Sequence, residues 1–467
     1  MVPHKVPLNM PAAQSNMQTI SFLPTPLNPP TSSSPRVLII GGGVTGLVTA
    51  WTLLDRGYQV TILSQAWASH STPQNRLTSQ IAGALWEYPP AVCGQHTDAI
   101  SLLHSKQWCM VSYRIFEQMA KDPQLSASSG VRMKDSVFFF SSQLEDDEFN
   151  YQKMKEIEHS GVNGFRRGVD LIKEHGINPK YGVKDAYAHL APVIDTDQAM
   201  FYLMTLVSAK GAQFVTETLT GDLLDLEPDL LARFQASVIV NCTGLANDHL
   251  ASDSSCYPIR GALIRVLNDG KQFPKVDAAL SISAPHGISR MASTGQETTE
   301  IVFIVPRSPS ILLLGGIAQT NQSDLDLTLD SPVIQRMRQR CEAFLPGLKN
   351  AVVDKEYPLT QGLRPFRGGN VRVERELRVR EADGKDSRPS RIIHSYGHGG
   401  SGWSLSFGCA EDVVILVEEA LADVMPTPMT LRGLPVPAVE KLGRHEPDMG
   451  SDKDIEKDRQ FVFSSKL

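Results

Sequence analysis

Residues 36–46 read Arg36-Val37-Leu38-Ile39-Ile40-Gly41-Gly42-Gly43-Val44-Thr45-Gly46. The short apolar run ending at glycine has the pattern of a strand buried on both faces, as in a parallel sheet. Gly41, Gly43 and Gly46 then satisfy G-x-G-x-x-G. Val44, Leu47, Val48, Trp51 and Leu54 recur at helical spacing, and Gly57 stands where a helix C-cap belongs. Tyr58 to Leu63 reads as a second strand. Strand, turn, helix and strand within about 30 residues is the dinucleotide-binding arrangement. Its first glycine makes the tight turn and its second lets backbone approach a pyrophosphate. The third lets the helix pack on the strand, and the helix N-terminus faces the anion. One feature departs from the pattern. An acid that binds ribose should end the second strand, about 20 residues on, and Ser64 stands there. A serine can bond a hydroxyl but lacks the charge that would repel a 2′-phosphate.

Outward from this stretch, 467 residues at roughly 150 per domain suggest about three units. The chain has 45 basic and 51 acidic residues, a net charge of −6, which argues against nucleic acid held by bulk charge. Hydrophobic content of 41% and charged content of 21% suit a globular protein with a large core. No apolar run reaches the ~18 residues that span a bilayer. Cys93, Cys109, Cys242, Cys256, Cys341 and Cys409 are scattered without a CxxC pair, so free thiols are expected rather than a disulfide framework or a metal site.

Both ends read as appendages. Residues 1–35 hold eight of the 30 prolines and one charged residue, Lys5, and are expected to be a disordered arm. They lack the features of a secretory signal or transit peptide. Residues 426–467 are expected to be a flexible tail, with a charged run from Glu446 to Arg459. The tail closes on Ser465-Lys466-Leu467, the peroxisomal address, which implies a peroxisomal import receptor as a partner.

Beyond the opening fingerprint the chain resembles the D-amino-acid oxidase family of flavoproteins. Three more stretches carry the resemblance: Thr78-Ser79-Gln80-Ile81-Ala82-Gly83-Ala84-Leu85-Trp86, then Val238 to Gly244, then Gly362-Leu363-Arg364-Pro365 with the later run His394 to Gly402. The resemblance implies non-covalent FAD and an α/β fold in which a Rossmann-type FAD-binding domain is interleaved with an α+β substrate domain built on an antiparallel sheet. Residues 36–86, 190–255 and 364–425 are assigned to the FAD domain, and 87–189 and 256–363 to the substrate domain, which carries an insert near 141–185. Val333, Ile334, Met337, Cys341, Phe344 and Leu345 read as one face of an amphipathic helix, and Val413 to Leu421 as part of another.

The resemblance also assigns roles. Arg364 would pair with a substrate carboxylate, the Gly400 carbonyl would accept from the substrate amine, and the N–H groups of Ser401, Gly402, Trp403 and Ser404 would face the reduced flavin. Val44, Thr45, Thr78, Ser79, Gly83, Ala84, Leu85, Thr243, Gly244 and Gly399 join Gly41, Gly43, Gly46 and Ser64 as cofactor contacts. His398 is expected to be a packed structural residue, since the family's hydride chemistry needs no side-chain base. That chemistry implies a D-amino acid or another small amine as substrate and molecular oxygen as acceptor, giving an imine and hydrogen peroxide. Two positions differ from the family. Phe303 stands where a tyrosine hydroxyl usually binds the carboxylate, a loss of about 1.5–3 kcal/mol. Ala318 stands where relatives place tyrosine or arginine, which disfavours acidic substrates. Both changes suggest a roomier, more apolar pocket, one suited to a bulky D-amino acid or to an amine-bearing intermediate of a specialised pathway. In the insert, the run Glu145-Asp146-Asp147-Glu148 reads as solvated surface, and the insert as a whole is a possible lid.

Overall fold

In a computed structural model, the described residues are 20–70, 72, 75–90, 98–282, 288–291, 297–378 and 389–432. Cys93 and the Ser465-Lys466-Leu467 terminus lie outside them.

The strand Arg36–Ile40 sits inside a six-stranded sheet, hydrogen-bonded in parallel to Gln59–Ser64 on one side and Val238–Asn241 on the other. Val37, Leu38 and Ile39 are fully buried, as a central strand requires. Gln213–Thr216 extends the sheet at one edge; Ile392–Tyr396 and then Arg372–Arg375 extend it at the other, the last strand running antiparallel. Helix Val44–Asp55 follows the glycine turn, and Gly57 takes the left-handed conformation (φ +88°) just past its end.

A second sheet of nine strands is almost wholly antiparallel. Its main path runs Leu359–Arg367, Cys256–Leu267, Ile311–Thr320, Glu297–Val305, Ala279–Ile282, Val131–Phe140, Asp185–Ile194 and Arg166–Arg167. Only Val131–Phe140 and Ala279–Ile282 pair in parallel. Helix Pro332–Phe344 buries Val333, Ile334, Met337, Cys341 and Phe344 against this sheet, the face read from the sequence. Helix Gly402–Leu421 is buried on more than one face. Helix Ala99–Lys121 packs so closely on it that a Cβ on Gly408 would lie 2.6 Å from that of Trp108.

Three sequence expectations need correction. Residues 20–35 are not a disordered arm. The Asp55 carboxylate, buried on the first helix and paired with Lys210 at 2.7 Å, accepts the backbone N–H groups of Ser21 (2.7 Å) and Leu27 (2.8 Å), and Ile20 packs into the core. A proline-rich segment still has N–H groups between its prolines, and a buried carboxylate needs donors. The tail is likewise held as far as Arg432, which is buried and donates to the Val373 carbonyl at 2.6 Å. Third, the boundaries at 190 and 364 fall inside the strands Asp185–Ile194 and Leu359–Arg367, both in the larger sheet. A strand cannot be divided without breaking its ladder, so Arg364 is carried by the substrate-side sheet.

The insert folds as helix Glu148–His159, the short edge strand Arg166–Arg167, the short helix Asp170–Glu174 and turns, with Leu144, Met154 and Ile157 in the core. Glu145 is exposed and forks with Arg167, while Asp147 caps the helix by accepting from Asn150 N at 3.1 Å.

Candidate active site

A cavity of about 490 Å³ opens where the carboxyl ends of the nucleotide-sheet strands meet the larger sheet. Its first wall is the glycine turn. Gly41 adopts φ +118°, and a Cβ there would stand 2.8 Å from the Cys242 carbonyl carbon. Gly46 does not line the cavity; a Cβ on it would collide with the Gly41 carbonyl, so its task is to let helix pack on strand. The Ser64 hydroxyl accepts from Gly42 N at 3.1 Å and donates to the Ala66 carbonyl at 2.9 Å. Its proton is therefore committed to the loop, and one lone pair remains for a ligand. Gln65, Glu217 and Thr218 complete this end of the wall. They carry no motif and were missed in the sequence; only the spacing of Gln65, one residue past the second strand, could have signalled it.

The segment 78–87 crosses between the sheets. The Ser79 hydroxyl accepts from Val44 N at 3.0 Å, its carbonyl accepts from Trp403 Nε1 at 2.9 Å, and Thr78 Oγ1 donates to the Leu363 carbonyl at 3.2 Å. Ala84 has φ +42°, and Leu85 bridges to Val193. Opposite, Thr243 is fixed by Asn241 through its N–H (3.2 Å) and hydroxyl (2.8 Å), and Gly244 packs on Pro365.

The late glycine loop closes the cavity. Gly399 N donates to the Pro365 carbonyl at 3.0 Å, tying this loop to the strand of Arg364. Gly400, Gly402, Trp403 and Ser404 line the space. Ser401 departs from expectation: its N–H already donates to the His398 carbonyl at 2.9 Å. The N–H groups of Gly402, Trp403 and Ser404 open the helix, where no preceding turn accepts them. His398 is buried, and burial pushes its imidazole down to about 4, so it is neutral. Its Nε2, at the cavity wall, has no partner among the described residues.

Arg364, Glu87 and Glu217 are the charged residues that line the cavity. Glu217 pairs with Arg233 at 2.5 Å and Glu87 with Lys153 at 3.0 Å. Arg364 donates to the Ile317 carbonyl at 3.2 Å and has no carboxylate partner among the described residues. Its guanidinium lies over Gly261, where a Cβ would stand 2.5 Å from Nη2. A planar fork without a carboxylate partner among the described residues, in a cavity also lined by Leu263, Ile301 and Phe303, has the donor geometry that can pair with a carboxylate. The Phe303 ring packs on Gly83, where a Cβ would meet it at 2.6 Å. Ala318 is not among the lining residues; Gly316 is. Register shifts between Glu300 and Phe303 and between Leu314 and Gln319 re-aim this strand pair, which a strict two-residue alternation does not foresee.

The family model described as "DAO: FAD dependent oxidoreductase" matches residues 36–415. The chain belongs to this family. It is 29% identical to a D-amino-acid oxidase of Rubrobacter xylanophilus, over 83% of this chain and 97% of that one. It is 27% identical to a human D-aspartate oxidase, over 83% and 95%. The glycine oxidase structure from Bacillus cereus superposes with a TM-score of 0.59 at 17% identity, covering 85% of this chain and 99% of that chain. The protein is thus an FAD-dependent oxidoreductase that fits action on CH–NH₂ donors. The residues fit FAD: the glycines leave backbone where side chains would block a dinucleotide, the N-cap Gly43 brings no side chain to helix Val44–Asp55, whose Val44 N–H alone is taken by Ser79, and the buried His398 Nε2 has no partner among the described residues.

Proposed function

We propose that this oxidoreductase is a D-amino-acid oxidase, taking hydride from the substrate α-carbon and releasing an imine that hydrolyses to a 2-oxo acid and ammonia. The observation that carries the reading is Arg364, a cavity guanidinium without a carboxylate partner beside apolar walls. Arg364 holds the substrate carboxylate through paired N–H donors. The Gly400 carbonyl accepts from the α-amine, which orients the α-hydrogen. Leu263, Ile301 and Phe303 exclude water around the reacting carbon. His398 stays neutral and moves no proton. The glycine turn Gly41–Gly43, Ser79, Thr243 and the late loop Gly399–Ser404 would hold FAD without a covalent link, and FAD would supply the hydride acceptor and the route to oxygen that yields hydrogen peroxide. Peroxide release on supplying D-amino acids, and none with the L-enantiomers, tests the reading.

Phe303 favours a second reading. Its ring supplies no hydroxyl to the carboxylate, which suits an amine-bearing intermediate of a specialised pathway in place of a free D-amino acid. A panel of D-amino acids that yields no peroxide, while a larger amine does, would select it. The same proposal places the protein in the peroxisome through Ser465-Lys466-Leu467 and its import receptor. A fluorescent fusion that becomes cytosolic when the three residues are removed tests that assignment.

A further inference from the structure

Glu87 belongs to no motif, yet it lines the cavity two residues beyond Leu85, which lines the same space. The intervening Trp86 is buried, 1% exposed, on the opposite side of this extended segment. Behind Glu87 lies Lys153, contributed by the inserted helix Glu148–His159. Lys153 Nζ is 3.0 Å from Glu87 Oε1; the lysine side chain is 9% exposed and does not line the cavity, while the glutamate side chain is 22% exposed and does. Of the pair, the glutamate is the more open member and belongs to the cavity lining, with the lysine behind it. Glu87 Oε2 accepts no hydrogen bond from the described residues and is not sealed off from solvent. An acceptor with a free lone pair, set in a wall of leucine, isoleucine and phenylalanine, selects a donor.

We infer that Glu87 is the specificity-determining residue for the substrate side chain, accepting from a side chain that ends in a hydrogen-bond donor and turning away one that ends in a carboxylate. This rests on the D-amino-acid reading above, with Arg364 holding the α-carboxylate. The insert then acts on specificity without moving as a lid: Lys153 holds the Glu87 carboxylate in place. An acceptor in the cavity wall favours a side chain that donates to it, and a carboxylate brought against it meets a like charge.

The test uses three probes of similar size: D-glutamine, D-glutamate and D-methionine. In the wild-type holoenzyme kcat/KM for D-glutamine exceeds that for D-glutamate by about tenfold or more. Glu87→Gln lowers this ratio at least ~10-fold, chiefly through KM, because the Lys153 charge behind the wall is then uncompensated and no carboxylate repels that of D-glutamate. The double variant Glu87→Gln/Lys153→Met removes both charges, guards against misfolding of the single variant, and brings the ratio between the two values. D-methionine reports the underlying reaction. A ratio unchanged in both variants, with D-methionine still oxidised, overturns this inference alone. Failure of all three probes to reduce the wild-type flavin overturns the D-amino-acid reading, and this inference with it.

Discussion

At the nucleotide end of the cavity the chain is fixed by backbone contact. Gly41 lies against Cys242, Gly46 against the Gly41 carbonyl, and Gly399 is tied to Pro365. At the substrate end it is fixed by side chains: Phe303 on Gly83, the Arg364 fork over Gly261, and Glu87 against Lys153. A backbone site tolerates almost no added atom and keeps its ligand. A side-chain site can exchange one group for another and change its ligand. In this chain the nucleotide end has glycines at its close contacts, and the substrate end has Phe303, whose ring carries no hydroxyl.

That contrast can be broken first at the nucleotide end, where the largest effect is expected. Gly41→Val adds a branched side chain at φ +118° against the Cys242 backbone. The protein should purify without flavin absorbance at any substrate concentration; a yellow protein would show that this end is not set by backbone contact. Next comes Arg364→Leu, which should retain bound FAD and lose kcat/KM on D-amino acids by roughly 30- to several thousand-fold, the consequence of losing about 2–5 kcal/mol. Unchanged kinetics would place the substrate carboxylate elsewhere.

Smaller effects sharpen the substrate end. Phe303→Tyr should lower KM for simple D-amino acids by about 10-fold if its hydroxyl reaches the carboxylate, a gain of about 1.5 kcal/mol. No change would mean that the ring does not point at that group. The smallest effect concerns pH. Burial pushes both His398, in the cavity wall, and His189, on the strand Asp185–Ile194 of the substrate-side sheet, down to about 4. Each binds a proton more readily when unfolded, so the stability lost should appear as pH falls from about 6.5, the ordinary histidine value, toward 4. Melting temperature measured across that range should fall, and His189→Gln should flatten part of the slope. An unaltered slope would assign the acid sensitivity to other groups.

The difference between the two ends also decides what the sequence discloses. The glycine turn was legible because its demands are local: a strand, a tight turn and a helix within a few residues. Arg364 was legible through its neighbours Gly362, Leu363 and Pro365. The ordered run 20–35 was hidden because what holds it, Asp55, is the last residue of the first helix and pairs with Lys210, distant in sequence. The displacement of Ala318 by Gly316 was hidden because bulges leave no reliable mark in the alternation. Glu87 was hidden for another reason: its meaning comes from Lys153, in an insert that no motif connects to the site.

The most direct measurement is an anaerobic titration of the purified holoenzyme with paired D- and L-amino acids, following the flavin absorbance. D-enantiomers, hydrophobic ones included, should bleach the flavin and L-enantiomers should not, and Arg364→Leu should require far higher concentrations of the same D-amino acids. A flavin that stays oxidised with every D-amino acid, or that bleaches equally in the Arg364→Leu variant, would contradict the account.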